Sequence, residues 1–206
     1  MNGKRIIVYV DGFNFYFGLK SKSWRKFYWL DLVKFFESFV KPYQNLEKVL
    51  YFSARPHDKA KADRQDLLFS ANKLNPRFGL HLGKYLKKTS TCRKCGASHI
   101  HYEEKETDVR IATTIVRDVV LDKCDISIIV SADSDLVPAI ELIREFNPLH
   151  KVFVYFPPNR FSFDLNNKAD GIIKLENHIA KFQDAILPDS ITLANGYEVK
   201  KPSLWK

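Results

Sequence analysis

Four aspartates are the residues of this sequence that are best suited to chemistry. Asp11 ends an apolar run, and Asp108 lies in the opening turn of a later helical pattern. Asp133 and Asp135 follow a second apolar run. Clustered carboxylates repel one another unless a cation neutralises them, and Mg²⁺ and Mn²⁺ both prefer oxygen ligands. On a basic protein, such a site would suit attack of metal-activated water on a phosphodiester.

Two polar residues are expected beside these acids. Asn14 lies three residues beyond Asp11, and Ser131 lies two residues before Asp133. Their amide and hydroxyl groups could hold a metal-bound water or a phosphate. Each residue also has a simpler interpretation, because Asp and Ser are common helix caps and turn residues. The coincidence of several acids favours a site, since caps do not require two acids in one loop.

The acids must be positioned by strands and helices that alternate along the chain. This alternation predicts a three-layer α/β/α sandwich with a mostly parallel sheet. In such a sheet, the loops that leave the strands lie at one carboxyl edge, where ligands bind. If the strands before Asp11 and Asp133 are neighbours, all four carboxylates can meet there. The predicted strands cover residues 5–10, 49–54, 78–86, 126–130, 151–156 and 172–173.

Helical periodicity predicts the segments that pack on this sheet. In the helix predicted for 59–74, we expect Leu67, Leu68, Ala71 and Leu74 to face inward. In the helix predicted for 107–121, the expected inward residues are Val109, Ala112, Ile115, Val116 and Val119. The other predicted helices cover 30–40, 134–146 and a segment near 177–182.

Length and composition set the class of protein. The chain has 206 residues, 45% hydrophobic and 28% charged, which excludes a disordered chain. We expect one domain over 1–186, with a cysteine-containing hairpin insertion at about 84–102, and an irregular tail over 187–206. No apolar run approaches the roughly 20 residues of a membrane span, and the N-terminal run is too short for a signal peptide. These features predict a cytoplasmic protein without a membrane partner.

Two cysteines in the hairpin have the spacing of a zinc knuckle. Cys92 and Cys95 are two residues apart, and Gly96 would ease the turn. His99 and His101 are the nearest further ligands, although this spacing is not a standard zinc signature. The alternatives are therefore a structural Zn²⁺ or a pair of free thiols.

The net charge of +9 points towards a polyanionic partner. The hairpin carries the densest basic stretch, with Tyr85 and Tyr102 as neighbouring aromatics that could stack on unpaired bases. The alternative is a solvated hairpin that is basic without binding anything. The candidate phosphate-binding residues are Lys84, Lys87, Lys88, Arg93 and Lys94 of the hairpin, together with Arg55 and Arg160, which follow strand ends.

Several blocks of the sequence resemble a known family. The similarity covers nearly the whole chain, and the order and spacing of three acidic blocks are fairly specific. The matching blocks are YVDGFN at 9–14, YEEKETDV at 102–109, VSADSDLVP at 130–138 and FPP at 156–158. In these blocks the chain resembles the NYN domains of the PIN-like superfamily, in particular the bacterial LabA-like branch.

The resemblance implies a Rossmann-like sheet and a metal-dependent nuclease that uses Mg²⁺ or Mn²⁺ and acts on RNA. Asp11, Asp108, Asp133 and Asp135 fall on the family's metal-binding acids, and Asn14 and Ser131 match its polar accessory positions. One departure is Ala132, where the family usually has Gly; a positive φ there would strain the loop.

Three functions remain to be weighed. A ribonuclease is the first, and a catalytically weak or inactive RNA-binding module of the same fold is the second. An unrelated phosphate-handling enzyme is the third, but no dinucleotide-binding or P-loop glycine motif follows any predicted strand. The presence of all four aspartates favours the ribonuclease. The sequence leaves open whether the chain forms a homo-oligomer.

Overall fold

A seven-stranded sheet forms the centre of the molecule. The computed structural model describes residues 3–205, apart from the side chains of Ile100, His101 and Glu103. The predicted strands are present, and several are longer than their apolar runs. In chain order the strands of the sheet are β1 (Lys4–Asp11), β2 (Gln44–Ala54), β3 (Phe78–Thr91), β4 (Ser98–Lys105), β5 (Ile126–Val130), β6 (Lys151–Phe156) and β7 (Gly171–Lys174).

The strand order β4-β3-β2-β1-β5-β6-β7 places β1 at the centre of the sheet. All neighbouring strands pair in parallel except β3 and β4, which form an antiparallel hairpin at one edge. The chain builds outwards from β1 in one direction through β2 and in the other through β5. The carboxyl ends of β1 and β5 therefore form the switch point at which open α/β sheets bind ligands.

Helices cover both faces of the sheet. Asp11, Asp31, Asp58 and Ser162 each cap a helix by accepting hydrogen bonds from backbone N–H groups. Across residues 3–205 the structure contains no helix with the length and apolar character that a membrane crossing requires. The helices are α1 (Gly12–Ser21), α2 (Leu32–Glu37), α3 (Lys59–Asn72), α4 (Thr107–Val120), α5 (Val137–Phe146), α6 (Phe163–Lys168) and α7 (Ile179–Asp184), with 3₁₀ turns at Arg25–Tyr28, Ser134–Leu136, Leu175–Asn177 and Ser203–Trp205.

Two hydrophobic clusters lie on the two faces of the sheet. Alternate residues of β1 supply both, because successive side chains of a strand point to opposite faces. Val8 and Val10 join the cluster under α1, α2, α3 and α7, whereas Ile7 and Tyr9 join the cluster under α4, α5 and α6. This arrangement confirms the predicted three-layer α/β/α sandwich.

The inward faces of two helices differ from the sequence prediction. In α3 the buried residues include Phe69 and Asn72, whereas Leu74 lies beyond the helix and is exposed. The polar side chain of Asn72 can be buried because its amide is hydrogen-bonded. Its oxygen accepts from Leu32 N at 2.9 Å, and its nitrogen donates to the Leu30 carbonyl at 3.0 Å. In α4 Val109 is 66% exposed, so its predicted inward position was wrong. The buried face of α4 is instead formed by Thr107, Ile111, Thr114, Ile115, Asp118 and Val119.

The segment after Leu187 is more regular than the sequence suggested. It forms an antiparallel pair, β8 (Ser190–Thr192) and β9 (Glu198–Lys200). Trp205 is buried in the core beyond this pair, and its ring lies 5.8 Å from that of Tyr28. The expectation of an irregular tail was therefore wrong. Buried apolar side chains such as Val199 and Trp205 hold this segment against the core, although its local sequence shows no sign of regular structure.

Candidate active site

Asp11 is the last residue of β1 and the N-cap of α1. Its Oδ1 accepts from the backbone N–H groups of Phe13 at 3.1 Å and Asn14 at 3.0 Å. Its Oδ2 accepts from Asn14 Nδ2 at 2.6 Å and from the Ser131 hydroxyl at 2.8 Å. The side chain is thus fixed by four donors although it is only 2% exposed. Burial raises the pKa of Asp11, and the negative charge of Asp133 adds to the rise, while the donors oppose it.

Ser131 joins the ends of the two central strands. It directly follows β5, is fully buried, and donates to Asp11 at the end of β1. The same hydroxyl accepts from the backbone N–H of Asp133 at 3.1 Å. Asp133 Oδ1 then accepts from the N–H of Asp135 at 3.0 Å, which starts the 3₁₀ turn before α5. The loop that carries both aspartates is therefore folded against Asp11.

Asp108 shows that the four aspartates share one electrostatic environment. Burial is the largest cause of a rise in its pKa to about 6, and the charge of Asp11 is the next. The charges of Asp133, Glu104 and Asp135 raise the pKa further. The charges of the other three aspartates therefore act on Asp108 at the start of α4.

Glu104 is a residue of the site that the sequence analysis did not assign. Its Oε1 accepts from the Thr107 N–H at 3.0 Å and also contacts the Thr107 hydroxyl. Glu106, the next residue but one, adopts a left-handed conformation with φ of 79° immediately before α4 begins. Gly83 of β3 allows the close approach, because a Cβ there would lie 2.9 Å from the Thr107 hydroxyl. Glu104 therefore fixes the first turn of α4, which carries Asp108.

The backbone around the acids has little room for larger residues. A Cβ on Gly12 would lie 2.5 Å from Tyr51 Cε1 and 2.6 Å from the Phe52 carbonyl oxygen. Gly12 is therefore needed for close packing beside Asp11. Among the described residues, positive φ outside glycine occurs only at Ser23, Glu106, Asp122 and Asn159, so Ala132 is not strained in this loop.

The four aspartates can be compared with the ligands that divalent cations prefer. Four carboxylates offer only oxygen atoms, which suits Mg²⁺ or Mn²⁺ and does not suit a thiolate-binding metal. Within the described part of the chain, no three His, Cys, Asp or Glu side chains lie close enough together to hold one ion. A bound cation would offset the repulsion between these like charges.

The two hairpin cysteines lie in the turn between β3 and β4. Gly96 N–H donates to the Cys92 carbonyl at 2.9 Å, and Gly96 has the positive φ expected of a tight turn. Both thiols are free. Hydrogen bonds from the backbone of Cys95 and Lys94, then the thiol of Cys95, lower the pKa of Cys92. His99 is exposed on β4, whereas the side chain of the fourth predicted ligand, His101, lies outside the described residues.

Most of the predicted basic residues lie on the hairpin, and two follow the ends of other strands. Lys84, Lys87, Lys88, Arg93 and Lys94 are exposed along the hairpin, and Arg160 is exposed after β6. Two of the candidates have acidic neighbours at the surface. Arg55 contacts Asp66 at 2.5 Å, and Lys84 contacts Glu106 at 3.4 Å. Exposed pairs of this kind contribute about 0 to 1 kcal/mol, so they do not prevent either residue from binding phosphate.

Two known proteins are similar to this chain. One is 6-hydroxy-3-succinoylpyridine 3-monooxygenase HspA of Pseudomonas putida (strain DSM 28022 / S16), at 25% identity over 68% of this chain and 55% of that protein. The chain thus spans about half the length of this curated relative. The other is the crystal structure of a protein of unknown function, VPA0982, from Vibrio parahaemolyticus RIMD 2210633. Its TM-score is 0.55 at 19% identity, covering 84% of this chain and 93% of that one, which shows a shared fold.

The family model of the NYN domain matches residues 5–176. This range includes β1 to β7 and all four aspartates of the carboxyl edge. It also includes the whole β3–β4 hairpin. The chain therefore belongs to the NYN domain family, whose fold places it in the PIN-like nuclease superfamily.

Proposed function

We propose that this protein is a metal-dependent ribonuclease that hydrolyses the phosphodiester bonds of RNA. NYN domains generally bind nucleic acid, and PIN-like nucleases typically use divalent metals. The observation that carries the proposal is the hydrogen-bonded link between the ends of β1 and β5, in which Ser131 donates to Asp11 and accepts from the backbone of Asp133. The charges of Asp11, Asp133 and Asp135 also raise the pKa of Asp108, which agrees with this arrangement. An acidic cluster of this kind lowers stability without a cation, so a role in binding one explains it best.

The proposed roles divide between ligands and positioning residues. Asp11, Asp108, Asp133 and Asp135 would hold Mg²⁺ or Mn²⁺, which when bound supplies Lewis acidity towards water and phosphate. Asn14 and Ser131 orient Asp11 through their hydrogen bonds to its Oδ2. These hydrogen bonds keep the Asp11 carboxylate in place, although the neighbouring negative charges repel it.

The hairpin of β3 and β4 is proposed to hold the RNA strand. It carries exposed lysines and arginines along residues 84–94, whose charge suits a phosphate backbone. Two of its aromatic residues contact segments that follow β1 and β2 in the chain. The Tyr85 ring lies 6.1 Å from that of Phe13, and the Tyr102 ring is stacked 4.0 Å from that of His57. Phe13 is two residues from Asp11, so this surface adjoins the acidic site.

The turn of the hairpin is proposed to bind a structural Zn²⁺ through Cys92 and Cys95. The backbone N–H groups that lower the pKa of Cys92 favour its thiolate, which is the form that binds metal. His99 and His101 are the proposed further ligands. Zinc here would fix the tip of a long hairpin that has few buried apolar residues.

The nuclease proposal is tested by incubating the protein with labelled single-stranded RNA, single-stranded DNA and duplexes, each with Mg²⁺, Mn²⁺ or EDTA. The wild type and Asp133→Asn are compared, with Asp184→Asn as a control for the same substitution at an exposed position on α7. We expect metal-dependent cleavage of RNA that is lost only in Asp133→Asn. RNA that is bound by all three proteins but never cut would instead support the RNA-binding module.

A further inference from the structure

A pocket beside the acidic site is not used by the proposed chemistry. It lies between α1 and α3 over the carboxyl ends of β1 and β2, and its volume is about 180 Å³. Apolar protein cavities of about 150 Å³ admit a benzene ring, so this pocket has room for an aromatic ring system. Gly12 and Tyr51 are among its lining residues.

The walls of the pocket are rich in aromatic residues. Phe13, Tyr16, Phe17, Tyr28 and Trp205 all line it. The Tyr16 and Tyr28 rings lie 5.0 Å apart, and Tyr16 is 37% exposed, so part of its surface is accessible from solvent. Aromatic walls of this kind favour a flat ring as the ligand, because stacking supplies affinity.

One wall of the pocket is polar. Gln65 Nε2 donates to the Ser53 hydroxyl at 3.1 Å, while Gln65 Oε1 is buried without a hydrogen-bond donor among the described residues. A buried acceptor without a donor is uncommon in folded proteins and requires an explanation. The side chains of Gln65 and Ser53 make this wall better suited to a flat ring with polar edge groups than to a hydrocarbon.

Positive charges and the acidic site flank the same pocket. Lys61 and Arg64 line it, and neither forms an ion pair within the part of the chain that the structure describes. Gly12, which lines the pocket, directly follows Asp11, and Tyr51 donates to the Gly12 carbonyl at 3.4 Å. The pocket therefore begins one residue beyond Asp11, at the end of β1.

We propose that this pocket receives one unpaired nucleobase of the strand whose phosphate lies at the four aspartates. A nucleobase combines the properties that suit the pocket: a flat ring, polar groups on the edge of that ring and an attached phosphate for Lys61 or Arg64. The inference rests on the proposed nuclease function and adds a subsite to it. It makes unpaired RNA the preferred substrate, because a base in a duplex must leave its stack and its partner before it can enter a pocket.

The test combines RNAs that lack a single base with protein variants that are changed in the pocket. Binding of a labelled eight-nucleotide RNA is measured without chelator and with Ca²⁺, another cation that binds oxygen ligands, in place of Mg²⁺ or Mn²⁺. Single abasic residues are introduced at each position in turn. In the wild type we expect one position at which loss of the base weakens binding about tenfold, as stacking predicts. In Tyr16→Ala and Gln65→Met this sensitivity should disappear. Tyr197→Ala and Gln183→Met make the same two substitutions at exposed positions outside the pocket, so both should behave as the wild type.

The outcomes separate this inference from the proposed function. A wild type that binds and cleaves RNA, but in which no abasic position loses affinity or in which Tyr16→Ala leaves the sensitivity unchanged, would overturn the subsite alone. A wild type that neither binds nor cleaves RNA would overturn the proposed function as well. Saturable binding of a free nucleoside monophosphate, without any abasic effect in the strand, would overturn the assignment to a base of the strand.

Discussion

The Ser131 hydroxyl donates a hydrogen bond of 2.8 Å to Oδ2 of Asp11, across the two central strands of the sheet. Because Ser131 directly follows β5 and Asp11 ends β1, this contact lies at the topological switch point. Both residues are buried, so the hydrogen bond is protected from competition with water. The geometry of the acidic site therefore depends on a neutral residue that carries none of its charge.

Ser131→Ala should reduce catalysis more than stability. The variant loses one donor to Asp11 and the acceptor for the Asp133 N–H, so we expect the rate of RNA cleavage at a limiting Mn²⁺ concentration to fall about tenfold, as for other residues that orient metal ligands. The free energy of unfolding should fall by only about 1 kcal/mol. RNA cleavage is measured as a function of Mn²⁺ concentration, with Ser70→Ala on α3 as control. A loss of activity that higher Mn²⁺ fully restores would match a positioning role; an unchanged metal dependence and kcat would contradict it.

Asp108→Asn should stabilise the metal-free protein at neutral pH. The pKa of Asp108 is about 6 in the folded protein, above its usual value of 3.8. The folded state therefore binds more protons than the unfolded state between these values, and wild-type stability falls as the pH rises through that window. After allowance for its half-exposed position, we expect Asn to add about 1 kcal/mol at pH 7.5 and almost nothing at pH 4.

Denaturant unfolding in EDTA at both pH values provides the measurement for Asp108→Asn. Asp164→Asn, in an exposed helix, is the matched control. Mg²⁺ or Mn²⁺ should then stabilise the wild type more than Asp108→Asn, since a ligand that binds only the folded state stabilises it. An Asp108→Asn variant that is less stable than the wild type at pH 7.5 would mean that the carboxylates do not repel one another.

Gly12→Ala should destabilise the fold and disturb the site. The added Cβ would meet the Tyr51 ring and the Phe52 carbonyl at distances that real Cβ atoms do not adopt. We expect a loss of about 2 kcal/mol, typical of overpacking. A second variant that also carries Tyr51→Leu should recover only part of this loss, because the backbone carbonyl remains. Full recovery in thermal unfolding would show that the ring alone restricts position 12.

Cys92→Ser tests the hairpin zinc. Purified wild type should contain one equivalent of zinc by elemental analysis, and Cys92→Ser should contain none. Cys124→Ala, which removes the buried cysteine before β5, should retain the zinc. Zinc-free wild type with the same near-ultraviolet circular dichroism before and after chelator treatment would contradict a structural zinc.

The acidic site could be predicted from sequence to a greater extent than the pocket. Asp11 and Asp133 each follow an apolar run that only a buried strand explains, so the sheet topology brings them together. Glu104 was missed because its role depends on the turn at Glu106, whose left-handed conformation has no sequence signature. The pocket joins Tyr16 of α1 to Gln65 of α3, and no local pattern reports contacts between helices 49 residues apart in the chain.

His150 should make the fold less stable at mildly acidic pH. It is buried, its Nε2 is 2.9 Å from the Ser127 hydroxyl, and its Nδ1 has no partner among the described residues. Burial lowers its pKa from 6.5, although Asp125 and Asp170 oppose the shift. The unfolded state therefore binds the proton more readily, and stability that is complete above pH 6.5 is lost as the pH falls below it.

Unfolding of His150→Leu between pH 5 and 7.5 measures this contribution. The experiment is best made in the Asp108→Asn background, because Asp108 changes stability in the opposite direction over part of that range. His150 should contribute at most about 1.4 kcal/mol per pH unit to the parent's loss of stability on acidification, and His150→Leu should lack this contribution. His81, whose pKa burial also lowers, contributes equally to both proteins. His57→Gln, which changes an exposed histidine, should retain the slope of the parent. If His150→Leu lost stability as steeply as its parent, a group other than His150 would cause the loss of stability at acidic pH.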